Sequence, residues 1–452
     1  MALWNGRSTR KNLPRLRSVG SIKKIYDSVH RFIHVDPLES ELINSRPFQR
    51  LHYIHQLGVT YFVYPGGTHR RFEHSLGVME LATRMYDEVT MGDPSEHLSE
   101  KHQKLLSDFV PALGSEDHRY WRRILRLAAL CHDLGHLPFS HTAEYEILGK
   151  GGHERLTSQI IESSYLTPIW SDLQEEYPKV NVISDVMKIS VGEYKYLDLY
   201  PNAKKFSPWE RVVTAIITGD FFGADRIDYL LRDSKCTGLA YGLFDYHQLI
   251  EMLKIIPTGE NSGEFALGVE ENGIESCEAL LLARHYMHKR LYQYASVKSY
   301  SFHLARFMGG VYYDLGEDLE RYISMTDNEV LAELNRASLD SDHPGHFDAK
   351  CLYLRKSRFR AIALTSSPEE GDLEAIRSSL SIPSDQMAWK LTRHDGKRQA
   401  LDFPVLRQDG SIDCGFNLSE ISIPSWKQSW VYVARDFETK VRKNLRHVDV
   451  LG

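Results

Sequence analysis

The chain has 452 residues, 42% hydrophobic and 26% charged, with a formal net charge of −6; this balance describes a soluble globular protein with a large core and two lobes, and it excludes fibrous and disordered classes. The longest apolar runs, such as Ala279–Ala283, are far too short to cross a bilayer and no hydrophobic signal core opens the chain, so no membrane partner is expected. Cys131, Cys236, Cys277, Cys351 and Cys414 are odd in number and scattered, without the spacing of a zinc site or a disulfide framework, which points to a reducing cytoplasm.

Arg7, Arg10, Lys11, Arg15, Arg17, Lys23 and Lys24 all precede the first acid, Asp27, so residues 1–23 read as a basic arm. It is either a solvated tail or a contact for nucleotide phosphates or a nucleic acid backbone. Residues 40–90 read as helical around a turn region at Tyr61–Tyr64, closed by Pro65-Gly66-Gly67. Within them, Arg71-Phe72-Glu73-His74-Ser75-Leu76-Gly77-Val78 places His74 at a helix entrance, with Leu76, Met79, Leu81, Ala82, Met85 and Val89 available for an apolar face. Residues 91–118, bracketed by Gly92-Asp93-Pro94-Ser95 and Gly114-Ser115-Glu116-Asp117, are expected to be an exposed insertion carrying one helix.

An apolar helix then ends in Cys131-His132-Asp133-Leu134-Gly135-His136, and His136, His141, Glu144, His153 and Glu154 follow closely, a high density of groups able to move protons near neutral pH. Asp225, Tyr229 and Asp233 recur every four residues of a helical segment and share one face. Lys254–Ile256 and Phe265–Val269 read as two strands around a turn. Residues 275–310 are helical again, with Arg284, His288 and Tyr292 on one face, a solvated stripe or a pocket wall. Strand-like stretches at 351–365, 387–392 and 429–434 suggest a small α+β lobe.

Taken alone, His132-Asp133 is either a helix-terminal hydrogen-bonding pair or half of a metal site. His74, then His132-Asp133, then Asp225 resembles the HD-domain phosphohydrolases. Phe48-Gln49-Arg50-Leu51, Gln56-Leu57-Gly58, Arg71 to Gly77, His132 to His136 and Pro138-Phe139-Ser140-His141 narrow the likeness to the deoxynucleoside triphosphate (dNTP) triphosphohydrolases among them, over about Lys24 to Tyr294. The resemblance implies a mainly α fold: a helical HD core over 24–325 with a small β-hairpin and the insertion at 91–118, then a C-terminal α+β lobe over 326–452.

It implies metal ligands His74, His132, Asp133 and Asp225 for one divalent ion. Mixed nitrogen and oxygen donors suit Mn, Fe, Zn, Co, Ni or Mg, and a further Mg could accompany the triphosphate. It also implies hydrolysis of dNTPs to deoxynucleoside and inorganic triphosphate. His141 is the first candidate for general acid, His153 the next, Glu144 orients one of them, and His136 stabilises phosphate. Arg71, Arg226 and Arg284 would hold phosphates, although Arg226 stands where a vertebrate relative has lysine. Gln56 and Asp233 would bind the 3′-hydroxyl, Tyr292 would exclude a 2′-hydroxyl, Leu57 would lie beside the base, and Tyr229 would wall the pocket. Further expectations are a homo-oligomer (dimer, tetramer or hexamer) and a nucleotide activator. Asn44 and His52 depart from a guanine-binding Asp and Arg, while Gln49 and Arg50 are retained; Tyr26 and Tyr294 replace an asparagine and a histidine, which puts regulation in doubt. The alternatives are an HD-type nuclease, a phosphohydrolase of another nucleotide, or a catalytically silent nucleotide sensor.

Overall fold

The computed structural model describes residues 22–91, 97–258, 264–364, 368–391, 401–423 and 429–445, so residues 1–21 of the basic arm at 1–23 lie outside the described residues. The architecture is mainly α, as the resemblance implied. Helix α1 (Arg71–Met91) and helix α2 (Glu116–Cys131) form its centre. Helix α2 starts at Ser115, whose side chain accepts from the His118 amide, with Glu116 and Asp117 in its first turn facing the positive helix end. From Ile124 onward its residues are buried all round, so the helix runs into the core and delivers His132 and Asp133 at its end. Helices α3 (Val182–Val191), α4 (Pro208–Thr218) and α5 (Ala224–Thr237) complete the main core. Helix α5 stops at Gly238, whose φ of 77° is the left-handed cap that glycine adopts at least cost.

The expected hairpin is present as β3 (Leu253–Pro257) and β4 (Phe265–Glu270), and an unexpected one precedes it, β1 (Lys23–Asp27) with β2 (Arg31–Val35). Strand β4 also pairs in parallel with β7 (Pro404–Leu406), and β7 with β8 (Ile412–Cys414), so C-terminal residues join the hairpin sheet. The helix expected between 91 and 118 is Glu100–Phe109. It is not wholly an excursion: Phe109 stacks on Phe265 at 4.2 Å.

Helices α6 (Ile274–Met287) and α7 (Ala295–Val311) are joined by one π-helical turn, His288–Tyr292. Beyond them, residues 351–353 end a helix (His346–Tyr353) instead of opening a strand, because Ala349 and Leu352 fall on one buried helical face. A separate antiparallel sheet has the order β5 (Arg360–Leu364), β9 (Ser429–Val433), β6 (Met387–Lys390). No helix among the described residues is long and apolar enough to cross a membrane.

Candidate metal centre and nucleotide site

His74 lies in the first turn of α1 with its side chain fully buried. Its Nδ1 is 2.7 Å from Asp228 Oδ2, and its Nε2 is 3.0 Å from Asp225 Oδ1 and 3.5 Å from Asp133 Oδ2. His132 has Nδ1 2.7 Å from the Ala129 carbonyl, which makes Nδ1 the donor and leaves the Nε2 lone pair free. That Nε2 is buried without a hydrogen-bond partner, 3.3 Å from Asp133 Oδ1 and 3.8 Å from Asp225 Oδ1. Two imidazole nitrogens and two carboxylates thus converge. Burial opposes charge on His74, yet its hydrogen bonds to Asp225 and Asp228 and the charges of Asp228 and Asp133 outweigh it and lift His74 to about 10. Such a cluster of carboxylates calls for a cation, and the unsatisfied His132 Nε2 offers the lone pair that a proton-bearing group would not. The donor set fits one divalent ion.

The carboxylate behind His74 was not anticipated from the sequence. Asp228 is fully buried and accepts from His30 Nε2 at 2.6 Å and from Arg232 at 2.9 and 3.0 Å; Arg232 reaches on to Asp27 at 2.8 Å. This network sits directly against the backbone of α1, where a Cβ on Gly77 would lie 2.0 Å from Asp228 Oδ1. The available signal was that Asp228 and Arg232 follow Asp225 by one and two helical turns.

On the other side, the Arg71 guanidinium pairs with Asp133 and donates from Nε to Ser140 Oγ at 2.8 Å. Against its burial, the charge of the paired Arg71 guanidinium and the hydrogen bond from His136 hold Asp133 well below the usual carboxylate range. Phe139 and Ser140 both lie in the left-handed region, with φ of 58° and 59°. Two such non-glycine residues in a row must be held by their surroundings; the Phe139 amide donates to Asp327 Oδ1 at 2.6 Å, and Ser140 Oγ donates to the His55 carbonyl at 2.6 Å.

Glu144 braces two imidazoles, with Oε2 2.7 Å from His141 Nδ1 and Oε1 2.7 Å from His153 Nδ1. Although burial opposes it, these two hydrogen bonds hold Glu144 below the carboxylate range, and the bond to Glu144 raises His153 above the ordinary imidazole value. His153 stacks on His136 at 3.8 Å, while burial and the Arg71 charge keep His136 neutral to well below its ordinary value. His141 is 64% exposed, so its ring reaches solvent, and it lines the cavity described next.

Both clusters open into one cavity of ≈ 1530 Å³, which Gln56, Leu57, Tyr229, Asp233, Arg284 and Tyr292 also line. The Tyr292 hydroxyl donates to Asp233 Oδ2 at 2.6 Å, and His69, which sequence reasoning missed, binds Asp233 Oδ1 at 2.7 Å. Gln56 Oε1 and Arg284 Nε are buried without partners. Burial and the nearby Arg226 charge push the Arg284 guanidinium down from its ordinary range, and no described carboxylate pairs with it. Arg226 itself departs from the expected placement. Its Nη1 is 2.9 Å from the Gly219 carbonyl and also binds that of Asp220, and the residue does not line the cavity. These carbonyls at the entry to α5 hold the guanidinium, which also lies against Tyr229 of the cavity wall.

Residues 71–177, which carry His74, His132, Asp133 and the braced histidines, match the family model for the HD domain. A Gallus gallus relative, deoxynucleoside triphosphate triphosphohydrolase SAMHD1, is 28% identical over 353 residues, 72% of this chain and 53% of that protein. The chain carries an HD domain and is similar to the SAMHD1-type deoxynucleoside triphosphate triphosphohydrolases. HD domains bind divalent metals, and this one carries a His/Asp cluster able to hold one. Uncharacterized protein MJ1154 of Methanocaldococcus jannaschii is 34% identical to it over 277 residues, 61% of this chain and 47% of that one. The HD-domain protein spans about half the length of the curated relatives it matches. The crystal structure of a hypothetical protein from Aquifex aeolicus superposes with a TM-score of 0.69 at 28% identity, covering 94% of this chain and all of that one.

Proposed function

We propose that this HD-domain protein hydrolyses dNTPs to deoxynucleoside and inorganic triphosphate. The observation that supports this most is the joining, in one cavity, of a two-imidazole, two-carboxylate cluster, a carboxylate-braced histidine pair and the Asp233–Tyr292 pair. His74, His132, Asp133 and Asp225 would hold one divalent ion. When bound, that ion supplies Lewis acidity at phosphorus and lowers the pKa of a coordinated water.

The rest falls to the chain's own groups. Arg71, fixed between Asp133 and Ser140, orients an α-phosphate, with neutral His136 beside it. Arg284, buried without a counter-charge, attracts the remaining phosphates. His141 gives a proton to the departing sugar oxygen, and Glu144 keeps Nδ1 engaged so that Nε2 faces the leaving group. His153 shares that carboxylate and is the alternative donor.

Sugar choice rests on Gln56 and Asp233 at the 3′-hydroxyl and on Tyr292, whose ring is held by Asp233 where a 2′-hydroxyl would intrude. Leu57 flanks the base and Tyr229 closes the wall. Arg226 contributes through its charge near Arg284 and not through direct contact. In this reading the protein works in the cytoplasm as a homo-oligomer, with a nucleotide activator and a Mg ion accompanying the triphosphate.

The test is product analysis of purified protein with manganese across all four dNTPs, GTP and a labelled single strand. Release of inorganic triphosphate from dNTPs with the strand left uncut supports the reading. Strand cleavage without triphosphate release refutes it.

A further inference from the structure

The cavity is larger than one nucleotide requires. At ≈ 1530 Å³ it exceeds the roughly 300–1,000 Å³ of sites that take a single small ligand, and it continues past the histidines to the C-terminal sheet. There α7 supplies Lys298 and the edge strand β6 supplies Trp389 and Lys390. Register explains the placement. Lys390 is paired opposite Trp430, and Ala388 opposite Tyr432, so these side chains share one face of the sheet. Tyr432 on that face stacks on Phe302 of α7 at 4.2 Å, which docks the sheet on the helix and brings Lys390 to the cavity beside Lys298.

Among the described residues the two ammonium groups have no acidic partner. Among the described residues neither makes a side-chain hydrogen bond or an ion pair, although Glu146 lines the same cavity. Burial and the Lys390 charge push Lys298 down to about 8, so the two cations feel each other without a counter-ion between them. Beside them is a flat surface: Tyr145 is 79% exposed, with Lys390 Nζ 5.8 Å from its ring centroid. Paired cations next to an accessible aromatic face are the chemistry that holds a phosphate and stacks a base.

We propose that Lys298 and Lys390, with the exposed ring of Tyr145 beside them, form a second nucleotide subsite in this cavity. It takes a phosphate and its stacked base, belonging either to a second free nucleotide or to the next unit of a single strand. The choice of a nucleotide as ligand rests on the reading of the metal end given above; the anion site itself does not.

The experiment measures anisotropy of a labelled tetrathymidylate, and its displacement by thymidine monophosphate, on the full chain in EDTA between 50 and 200 mM salt. We expect Lys298→Gln/Lys390→Gln to weaken binding by about tenfold and to flatten the plot of log affinity against log salt by about 1.4, roughly 0.7 for each phosphate-facing cation lost on a single strand. Lys390→Gln alone changes an exposed strand residue, so it should melt like the wild type and show about half the effect, which separates the charge from any misfolding. Asp225→Asn disables the metal end and should leave the lysine-dependent part of binding in place, so this proposal and the hydrolase reading can fail separately. Displacement by the monophosphate assigns the subsite to a free nucleotide, and binding of the strand alone assigns it to a strand. Equal affinity and salt slope in wild type and double variant, or no binding of either probe by the wild type, overturns the proposal.

Discussion

Gly77→Ala should strip the metal centre without touching a ligand. The new Cβ would stand 2.0 Å from Asp228 Oδ1, 2.5 Å from Arg232 Nη2 and 2.7 Å from Asp228 Cγ, where ordinary contact begins at 3.4 Å. Helices α1 and α5 are both packed in the core, so most of the missing ~1.4 Å must come from Asp228 itself. That carboxylate is tied by contacts of 2.6 Å to His30, 2.7 Å to His74, and 2.9 and 3.0 Å to Arg232. A retreat of this size lengthens several of them past hydrogen-bonding range. Charge-assisted bonds contribute about 1.5–3 kcal/mol each and part is recovered by rearrangement, so the net loss should be about 3–5 kcal/mol, the usual cost of breaking a buried ion pair. His74 would at the same time lose the partner that fixes its tautomer and ring angle, a change that lowers metal affinity by about 10–100-fold. Metal retained after dialysis against a graded chelator, read by elemental analysis, and a urea unfolding curve check both figures. Wild-type metal retention together with a wild-type unfolding midpoint would show that Asp228 does not govern His74 and would refute the reasoning.

His69 sets a pH dependence. Burial works against its charge, but the hydrogen bond to Asp233 outweighs it and lifts His69 to about 9 from an ordinary 6.5. Its contribution is therefore complete below about pH 6.5 and lost as pH rises through 9, about 3 kcal/mol in all; urea midpoints of His69→Gln should fall less steeply over that window than those of the wild type, and parallel slopes would contradict this. Tyr292→Ala should raise turnover of ribonucleoside triphosphates relative to dNTPs by about tenfold or more, since it removes the ring that Asp233 holds in place; competition between the two substrates measures the ratio. His141→Ala should lower kcat by about 10²–10⁴-fold with metal content unchanged, and a parallel loss of metal would move His141 from proton transfer to the centre itself.

The proposed metal tetrad could be put forward from the sequence because each of its residues sits where local pattern is strongest. His74 follows a turn into an amphipathic helix, His132-Asp133 ends a helix whose apolar run announces burial, and Asp225 opens a helix whose spacing puts Tyr229 and Asp233 on its face. The β3–β4 hairpin was legible for the same local reason. What escaped depends on elements distant in sequence coming together. Asp228 looks like any surface acid on α5 until Gly77 lets α1 approach closely enough to bury it. His69 shows no sign of its role until Asp233 arrives from the far end of the same helix, and the parallel pairing of Val269 with Val405 has no local signature at all.

Arg226 marks where face assignment ends. Helical spacing fixes the direction of a Cβ, but an arginine side chain is long enough to turn towards whichever acceptors are nearest, and here those are the Gly219 and Asp220 carbonyls. Short, stiff groups such as histidine and aspartate follow their backbone, so a pattern of them in sequence survives into three dimensions. Long cations do not, and this applies equally to Lys298 and Lys390, which no spacing rule connects. They meet only because Tyr432 stacks on Phe302 and sets the C-terminal sheet against α7. The donor set that resembles a family was therefore readable from one chain of letters, while the extent of the cavity around it was decided by packing between parts of the chain that share no local pattern.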